Sequence, residues 1–295
     1  MAKSRQLLKR IKSIQSTRKI TRTMELVSTS KLKRAQQRIH GTVPYARKLN
    51  EMMQSLAGLS SGRRSPLLEV PMTIEKTVVL LVTANRGLCG AYNTNLIKMA
   101  NEIVEAEQAA GREVELHVSG KKGVKYYKFR NIELAGAYTH LSDVVTFAQA
   151  DETTSGFIRR FLAGEIQRFC IVFCHFLSPG RQVPACWQIL PVEGGAEGKD
   201  AGETAAANSG DLILEPDADT ILESIVPLAV KVKVLRALVE AQASEHSARR
   251  LAMKVATDNA GEVITSLKRV YNKVRQAAIT QELAEIMGGV EALKG

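Results

Sequence analysis

The sequence has few aromatic residues and no long apolar run. Only 5% of its 295 residues are Phe, Trp or Tyr, and a chain poor in aromatics but rich in aliphatic and charged residues favours long helices over a broad enzyme core. No apolar run reaches the length of a transmembrane helix, so none is predicted. The first residues, MAKSRQLLKR, lack the apolar core and the small-residue cleavage site of a secretory signal. We interpret them as part of the mature protein, because their helical pattern continues far beyond any cleavage point.

The motifs that carry common enzyme chemistry are also missing. The turn GLCG at 87–90 follows a predicted strand and precedes a predicted helix, where phosphate loops occur. It matches neither the dinucleotide-binding motif GxGxxG nor the P-loop motif GxxxxGK followed by Ser or Thr. The five histidines are isolated from one another in the sequence, so no metal site, cofactor or catalytic residue is predicted. An α/β nucleotide enzyme remains an alternative, which ATP turnover by the purified chain alone would support.

The four cysteines form no CxxC pair and are scattered among apolar neighbours. We interpret them as buried, reduced thiols in a cytosolic type of compartment. They are Cys89, Cys170, Cys174 and Cys186.

The positive charge of the chain is concentrated in its N-terminal segment. Residues 1–64 contain 16 Lys and Arg against two acidic residues, a formal charge of +14, whereas the remaining 231 residues carry −3. Such a localised field predicts an anionic partner surface, which could be nucleic acid, lipid headgroups or acidic protein. A nucleic-acid-binding basic helix is therefore an alternative function. However, Tyr45 is the only aromatic residue of this segment, so base stacking has no support.

Segment 2–58 is predicted to form one long helix, because its apolar residues recur at steps of three and four. The step widens to five or six between groups. The predicted stripe therefore drifts around the helix, as in a short, irregular antiparallel pair. Gly41 and Pro44 are expected to bend the helix without ending it. The stripe consists of Leu7, Ile11, Ile14, Ile20, Met24, Val27, Leu32, Ala35 and Ile39.

A second long helix is predicted at the C-terminal end. It begins near Asp217 or Asp219, either of which can cap it, and no proline follows Pro227. About 70 residues at 1.5 Å each give a rod on the order of 100 Å long, which needs a partner for its apolar face. The N-terminal helix is the only other one of comparable length, so the two are predicted to pair. The predicted stripe consists of Val263, Leu267, Val270, Val274 and Ala277, flanked by Ile264, Tyr271 and Ala278.

Strands and helices alternate between the two long helices, which is typical of a small doubly wound α/β domain. The β-branched run KTVVLLVT at 76–83 predicts a buried parallel strand. Segment 59–73 is interpreted as a linker and the Gly- and Ala-rich segment 193–210 as a flexible insertion. The predicted fold class is α/β plus long α: an N-terminal coiled-coil helix (1–58), a Rossmann-like α/β domain (74–192), the insertion (193–210) and a C-terminal coiled-coil helix (211–295).

Three stretches together resemble one protein family. They are KITRTMELVSTSKLKRA at 19–35, NRGLCGAYN at 85–93 and YNKVRQAAITQELAEIMGGVEAL at 271–293. With them, nearly the whole chain resembles the gamma subunit of F-type ATP synthases. The resemblance implies an antiparallel coiled coil of the two terminal helices with a Rossmann-like domain at its foot, in agreement with the periodicity.

The resemblance also implies a function. In this family the coiled coil is the central rotor shaft inside a ring of three alpha and three beta subunits, and its rotation couples proton flow to ATP synthesis at catalytic sites of that ring. The foot binds the epsilon subunit and the membrane c-ring. The chain is then expected to be a non-catalytic subunit that binds no nucleic acid and does not insert into the membrane. Its expected location is the cytoplasmic, or equivalent inner, face of an energy-transducing membrane such as the bacterial plasma membrane.

Individual residues match functional positions of the family. Arg275 and Gln276 match positions that hydrogen-bond a beta-subunit loop, and Met24 matches a position on the facing helix near the beta lever. For Met24, a place in the helix core is the alternative, and Met24 can have both roles.

The 193–210 insertion lies where plastid members carry a regulatory dithiol, but it has no cysteine, so thiol regulation through it is not expected. An apolar shaft tip in an apolar sleeve is expected at Ile279, Leu283, Ile286 and Met287.

Overall fold

The computed structural model of the chain describes residues 2–59, 65–139, 144–192 and 217–294. The predicted insertion at 193–210 lies outside these described residues. The helices and strands of the described ranges are, in chain order, α1 (Ala2–Leu59), β1 (Lys76–Val82), α2 (Tyr92–Ala109), β2 (Glu113–Ser119), α3 (Lys121–Phe129), β3 (Gly136–Tyr138), α4 (Phe147–Leu162), β4 (Arg168–Ser178), β5 (Arg181–Leu190) and α5 (Ala218–Lys294).

The residues group into two compact units. Unit 1 consists of residues 1–29 and 249–295, and unit 2 of residues 30–248. The described part of unit 1 is helical throughout, whereas unit 2 contains the sheet and its covering helices. The four-segment division drawn from the sequence stays a prediction.

Unit 2 is built around a five-stranded sheet with the strand order β3-β2-β1-β4-β5. The central strand β1 pairs in parallel with β2 and β4, and β2 pairs in parallel with β3. The last strand, β5, runs antiparallel to β4. A mostly parallel sheet in which later strands are added on both sides of the first strand is typical of a doubly wound α/β domain. The predicted Rossmann-like class is therefore confirmed.

The sequence of β1 explains its central position. Its residues Thr77–Val82 are all buried. A strand that is covered on both faces has no alternation of apolar and polar residues, which explains the nearly continuous apolar run of β1. Phe157 of α4 and Leu238 of α5 belong to the apolar cluster on one face of the sheet. Leu96 of α2 and Tyr127 of α3 belong to the cluster on the other face. Each such side chain stabilises the unit by about 1.5–3 kcal/mol when it is fully buried.

Side-chain caps mark where two of the helices begin. The Thr146 hydroxyl accepts a hydrogen bond from the Gln149 N–H, and the Gln149 side chain accepts one from the Thr146 N–H, which is a capping box at the start of α4. At the start of α5, an Asp217 carboxylate oxygen accepts the N–H of Thr220 at 2.9 Å. The predicted start of the C-terminal helix is confirmed. Pro44 lies inside α1 without ending it, as expected.

An ion network joins β1 and β2 to α4. The two Glu115 carboxylate oxygens accept hydrogen bonds from the Arg160 guanidinium at 2.8 and 2.9 Å, and Lys76 Nζ lies 2.8 Å from one of them. The Arg160 hydrogen bonds are the largest cause that lowers the pKa of Glu115, and the pKa reaches about 2. The carboxylate is therefore held ionised well into the acid range.

Candidate coupling surface of the paired helices

The two helical segments of unit 1 pack against each other in opposite directions. Thr21 Oγ1 of α1 lies 2.8 Å from Thr257 Oγ1 of α5. One helical turn away, Arg18 faces Gly261, where an added Cβ would lie 3.6 Å from the guanidinium carbon. The numbering falls along α1 as it rises along α5, so the segments are antiparallel. The predicted antiparallel pairing is confirmed within unit 1.

The inward face of α1 in unit 1 follows a regular seam. From Leu7 onwards, and apart from half-buried Met24, its buried or half-buried positions fall on alternate steps of four and three when exposed Arg18, which lies against Gly261, is included. This is a seven-residue repeat of the coiled-coil type, so the predicted drift of the stripe is wrong. The seam positions are Leu7, Ile11, Ile14, Arg18, Thr21, Glu25 and Ser28.

Besides Met24, two apolar residues of the predicted stripe lie outside this seam. Ile20 and Val27 are 60% and 52% exposed, whereas their neighbours Thr21 and Ser28 are buried. Hydrophobicity alone predicts that Ile20 and Val27 are buried. The geometry of the two packed helices instead places the residue that follows each of them, Thr21 or Ser28, towards the partner helix.

The facing seam on α5 follows the same rule. Val263 and Val270 of the predicted stripe are 43% and 45% exposed, and Ala277 is also exposed, so the assignment of these three residues to the packed stripe is wrong. Their neighbours Ile264 and Tyr271, predicted only as flanking residues, lie in the seam. The seam residues, buried up to position 264 and half-buried beyond it, are Met253, Thr257, Ala260, Ile264, Leu267, Tyr271, Val274 and Ala278.

The outward face of α1 in unit 1 is strongly basic. Arg22 on this face donates a hydrogen bond at 2.9 Å to Glu25, which lies in the seam. The other cations of this face extend into solvent, where they create a positive surface along several helical turns. Besides Arg18, which belongs to the seam, the exposed cations are Arg5, Lys9, Arg10, Lys12, Lys19 and Arg22.

Met24 lies at the border between the seam and the surface. Its side chain is half-buried, three residues from the Thr21 contact. It can therefore take part in helix packing and still present part of its thioether to a partner.

Arg275 and Gln276 are both exposed on α5. Within the described residues, neither side chain makes a hydrogen bond or ion pair. They lie on the opposite side of the Thr21–Thr257 contact from Met24. With 1.5 Å per residue, roughly 30 Å of helix separates them from Met24. The three predicted coupling residues therefore lie at two separate sites on unit 1, with Arg275 and Gln276 at one and Met24 at the other.

Among the described residues of unit 1, no helix covers the turns of α5 from Ile279 to Val290. Every described side chain from Ile279 to Val290 is exposed. The antiparallel arrangement brings the start of α1, at Ala2, opposite the turns just before this segment, so α5 extends past the end of its partner. The four predicted tip residues and Val290 follow one face of the helix and are 48–72% exposed: Ile279, Leu283, Ile286, Met287 and Val290.

Comparison with known proteins gives the family. The family model described as ATP synthase matches residues 3–293. The ATP synthase gamma chain of Gemmatimonas aurantiaca is 46% identical over 298 residues and is covered completely, as is this chain. That of Leptospira biflexa is 42% identical over 296 residues, which cover 99% of this chain and 100% of the relative. The chain belongs to the ATP synthase gamma chain family.

Solved structures agree with this gamma-chain fold. A chain of the Euglena gracilis mitochondrial ATP synthase, from the structure of its OSCP/F1/c-ring part, matches with a TM-score of 0.68 at 20% identity, over 99% of this chain and 95% of that chain. A chain of the Tetrahymena thermophila mitochondrial ATP synthase central stalk and c-ring matches with a TM-score of 0.57 at 18% identity, over 80% and 99% of the two chains. At this identity the likeness establishes the fold.

The glycine-rich turn of this gamma-chain family member has a structural role in the fold. Leu88 and Gly90 have positive φ angles of 62° and 59°, and the Asn93 side chain accepts the N–H of Ala84 at 2.9 Å. These features close the turn between β1 and α2. The neighbouring cavity in unit 2 has a volume of about 40 Å³, far below the roughly 300–1,000 Å³ of ordinary small-ligand pockets.

Metal-binding clusters and membrane-spanning helices are absent from the described part of this gamma chain. Within it, no three or more His, Cys, Asp or Glu side chains come together as a possible metal site. None of the helices described there combines the length and the apolar character that crossing a membrane requires.

Proposed function

We propose that this chain is the central rotor shaft of an F-type ATP synthase. The observation that carries the proposal is the full-length match to gamma chains, up to 46% identical over the whole of both sequences. The shaft turns inside a ring of three alpha and three beta subunits and couples proton flow to ATP synthesis. The ATP sites belong to that ring, so the chain itself is a non-catalytic subunit of the enzyme complex.

The helical pair of unit 1 suits the transmission of torque. Its two segments are held by a regular seam of alternating steps and by the Thr21–Thr257 hydrogen bond. Such interlocking side chains resist sliding and bending better than a single helix does. The pair can therefore transmit a twisting force along its axis.

The basic outer face of α1 is the proposed bearing surface. Its exposed Lys and Arg side chains extend into solvent from consecutive helical turns. We assign the acidic loops of the beta subunits as their partners. Long, mobile cations attract such loops without one fixed geometry, which suits a surface that must move past three equivalent partners in turn.

Arg275 and Gln276 are the proposed coupling residues, together with Met24. The exposure of Arg275 and Gln276 leaves their donors available to a carboxylate or carbonyl of a beta-subunit loop. A guanidinium bound to a carboxylate is among the stronger hydrogen-bonded pairs. Met24 lies about 30 Å away along the pair, so it is assigned to a second contact near the beta lever.

The exposed apolar end of α5 is the proposed shaft tip. Leu283 and Ile286 are 57% and 64% exposed, an arrangement that costs free energy unless a partner covers them. An apolar sleeve formed by the alpha and beta ring provides that cover. The α/β domain is assigned to the foot, in contact with the epsilon subunit and the c-ring, on the cytoplasmic or equivalent inner face of the membrane.

The stoichiometry of the purified complex tests the proposal. When the chain is co-expressed with alpha and beta subunits, we expect it to co-purify at one copy per three alpha and three beta subunits. Native mass spectrometry measures this ratio directly. Several copies per hexamer, ATP turnover by the chain alone, or tight binding to random DNA at physiological salt would overturn the rotor assignment.

A further inference from the structure

Two cysteines lie close together on the last two strands of the sheet in unit 2. In the antiparallel pair of β4 and β5, Cys170 is opposite Gln188 and Cys186 is opposite Val172. Residues two apart on a strand point to the same face, so both thiols lie on one face as diagonal neighbours. The pairing register shifts beside Cys170, between Phe169 and Cys170.

The two thiols interact directly and differ in exposure. Cys170 is buried, whereas Cys186 is exposed, so the expectation of a buried thiol is wrong for Cys186. The hydrogen bond from the Cys170 thiol to the Cys186 sulfur is the largest cause that lowers the pKa of Cys186. The same hydrogen bond, followed by burial, raises the pKa of Cys170. One thiol is therefore accessible and has a lowered pKa, and the other is buried beside it.

A half-buried cation, Arg168, lies next to this pair. The Arg168 guanidinium favours the thiolate form of both cysteines, against the opposing charge of Glu107. Arg168 Nη1 donates to Glu107 at 2.9 Å, whereas its buried Nε has no hydrogen-bond partner among the described residues. A neighbouring guanidinium is one of the features that make a cysteine reactive.

We propose that Cys170 and Cys186 form a peroxide-sensitive dithiol, with Cys186 as the attacking thiol and Cys170 as the resolving thiol. In the first step the Cys186 thiolate attacks a hydroperoxide oxygen, the O–O bond breaks, and the leaving oxygen takes up a proton, which gives Cys186 sulfenic acid and water or an alcohol. In the second step the Cys170 sulfur attacks the sulfenic sulfur. A disulfide forms, and the sulfenic oxygen leaves as water with the Cys170 proton. The two thiols are oxidised and the hydroperoxide is reduced.

The other chemistry of a close thiol pair is metal binding. A structural zinc site needs four ligands, and no group of three or more His, Cys, Asp or Glu in the described ranges could hold a metal ion. The pair therefore fits a redox role better than a zinc site.

Diagonal strand neighbours have Cα atoms about 7–8 Å apart, slightly beyond the usual range of a disulfide. The bond thus requires a small local adjustment, and strained disulfides are the ones that thiols reduce most readily. The oxidation is therefore expected to be reversible. This inference does not depend on the rotor function.

The test is to titrate the reduced full chain with hydrogen peroxide and to map its peptides by mass spectrometry. We expect one peptide pair, joined through Cys170 and Cys186, that has lost the mass of two hydrogen atoms. Dithiothreitol should restore the free thiols. Oxidation of Cys89 or Cys174 before this pair, or no cross-link while other thiols oxidise, would overturn the proposal.

Single serine variants separate the two roles. In Cys170→Ser, the sulfenic acid on Cys186 has no resolving thiol and should persist, so dimedone should label it several-fold more than in the unmodified chain. In Cys186→Ser, dimedone should not label Cys170 after treatment with peroxide. Cys174→Ser is the matched control, since burial raises the pKa of the Cys174 thiol to about 11, and this variant should form the cross-link normally. Equal labelling of Cys170 and Cys186 would contradict the assigned order, and the wild-type peptide map decides the proposal even if a variant fails to fold.

Discussion

Thr21 of α1 and Thr257 of α5 form a buried hydrogen bond across the helical pair, with 2.8 Å between their Oγ1 atoms. Thr257 Oγ1 also lies 2.8 Å from the carbonyl oxygen of Met253, and Thr21 Oγ1 lies 3.1 Å from that of Arg18. Both hydroxyls are thus satisfied inside the seam. A polar contact of this kind favours one alignment of the two helices, because any other alignment loses the hydrogen bond between the two hydroxyls.

We expect Thr257→Val to lower the free energy of unfolding by about 1 kcal/mol, because Thr21 loses a buried hydrogen-bond partner. The double variant Thr21→Val, Thr257→Val should recover most of this loss, since two matched methyl groups then fill the seam. Urea denaturation of the single and double variants measures the coupling, expected at about 1 kcal/mol. Thr23→Val is the control, because Thr23 makes its hydrogen bond to the Lys19 carbonyl on the exposed face. Strictly additive changes at Thr21 and Thr257 would contradict the contact.

Arg275→Ala should leave the isolated chain folded, because the side chain is exposed. Within the assembled enzyme we expect a lower coupled rate, with a loss of binding of about 2–4 kcal/mol at the beta-subunit contact. ATP-driven proton pumping in membrane vesicles measures the effect, and circular dichroism verifies the fold. Lys273→Ala is the control, an exposed cation nearby on the same helix. An unchanged pumping rate for Arg275→Ala would remove this residue from the coupling site.

Leu283→Asp should impair the proposed shaft tip. The side chain is 57% exposed in the chain itself, so we expect no change in the melting temperature of the isolated protein. In the complex, a carboxylate inside an apolar sleeve is costly, so assembly or ATPase activity should fall several-fold. Gln281→Asp places the same charge at an exposed position, about 160° around the helix from Leu283, and serves as control. Equal effects of the two variants would show that the apolar face has no special role.

Glu115→Gln should destabilise unit 2 in a pH-dependent way. The pKa of Glu115 is lowered from 4.5 to about 2, so its stabilising effect is fully present above about pH 4.5 and is lost as the pH falls towards 2. The shift corresponds to at most about 3 kcal/mol. The difference in unfolding free energy between the wild type and Glu115→Gln should therefore be largest near neutral pH and shrink below pH 4.5.

Glu113→Gln is the matched control for this experiment. Glu113 also contacts Lys76, at 2.8 Å, but its side chain is 67% exposed, so a small effect is expected. Denaturation at pH 7, 4 and 2.5 measures both variants. A difference for Glu115→Gln that stays constant with pH would show that its ionisation does not stabilise the fold.

The fold class could be predicted from local patterns, because these patterns report local physics. The uninterrupted apolar run of β1 requires cover on both faces, and Asp217 caps α5 through a hydrogen bond to a residue three positions away. The steps of three and four in α1 and α5 follow from 3.6 residues per turn. Such signals need no knowledge of the tertiary structure.

The choice of the buried face could not be predicted in the same way. Ile20 and Val27 are more apolar than Thr21 and Ser28, yet Thr21 and Ser28 are buried. The partner helix covers a fixed angular sector, and a side chain lies inside that sector because of its position on the helix. Hydrophobicity only biases which sector is covered. The same applies to Arg275 and Met24, whose separation along the pair depends on the alignment of α1 with α5.

The sequence by itself determined the two long helices, the alternating α/β segment between them, the basic N-terminal surface and the family. These depend on composition, on short-range periodicity and on motifs that lie within single segments. The tertiary structure alone decided the seam that joins Thr21 to Thr257, the exposed end of α5 beyond Ala278, and the pairing of Cys170 with Cys186. Each of these brings together residues far apart in the chain, and strand register and helix alignment are set by the packing of complete surfaces.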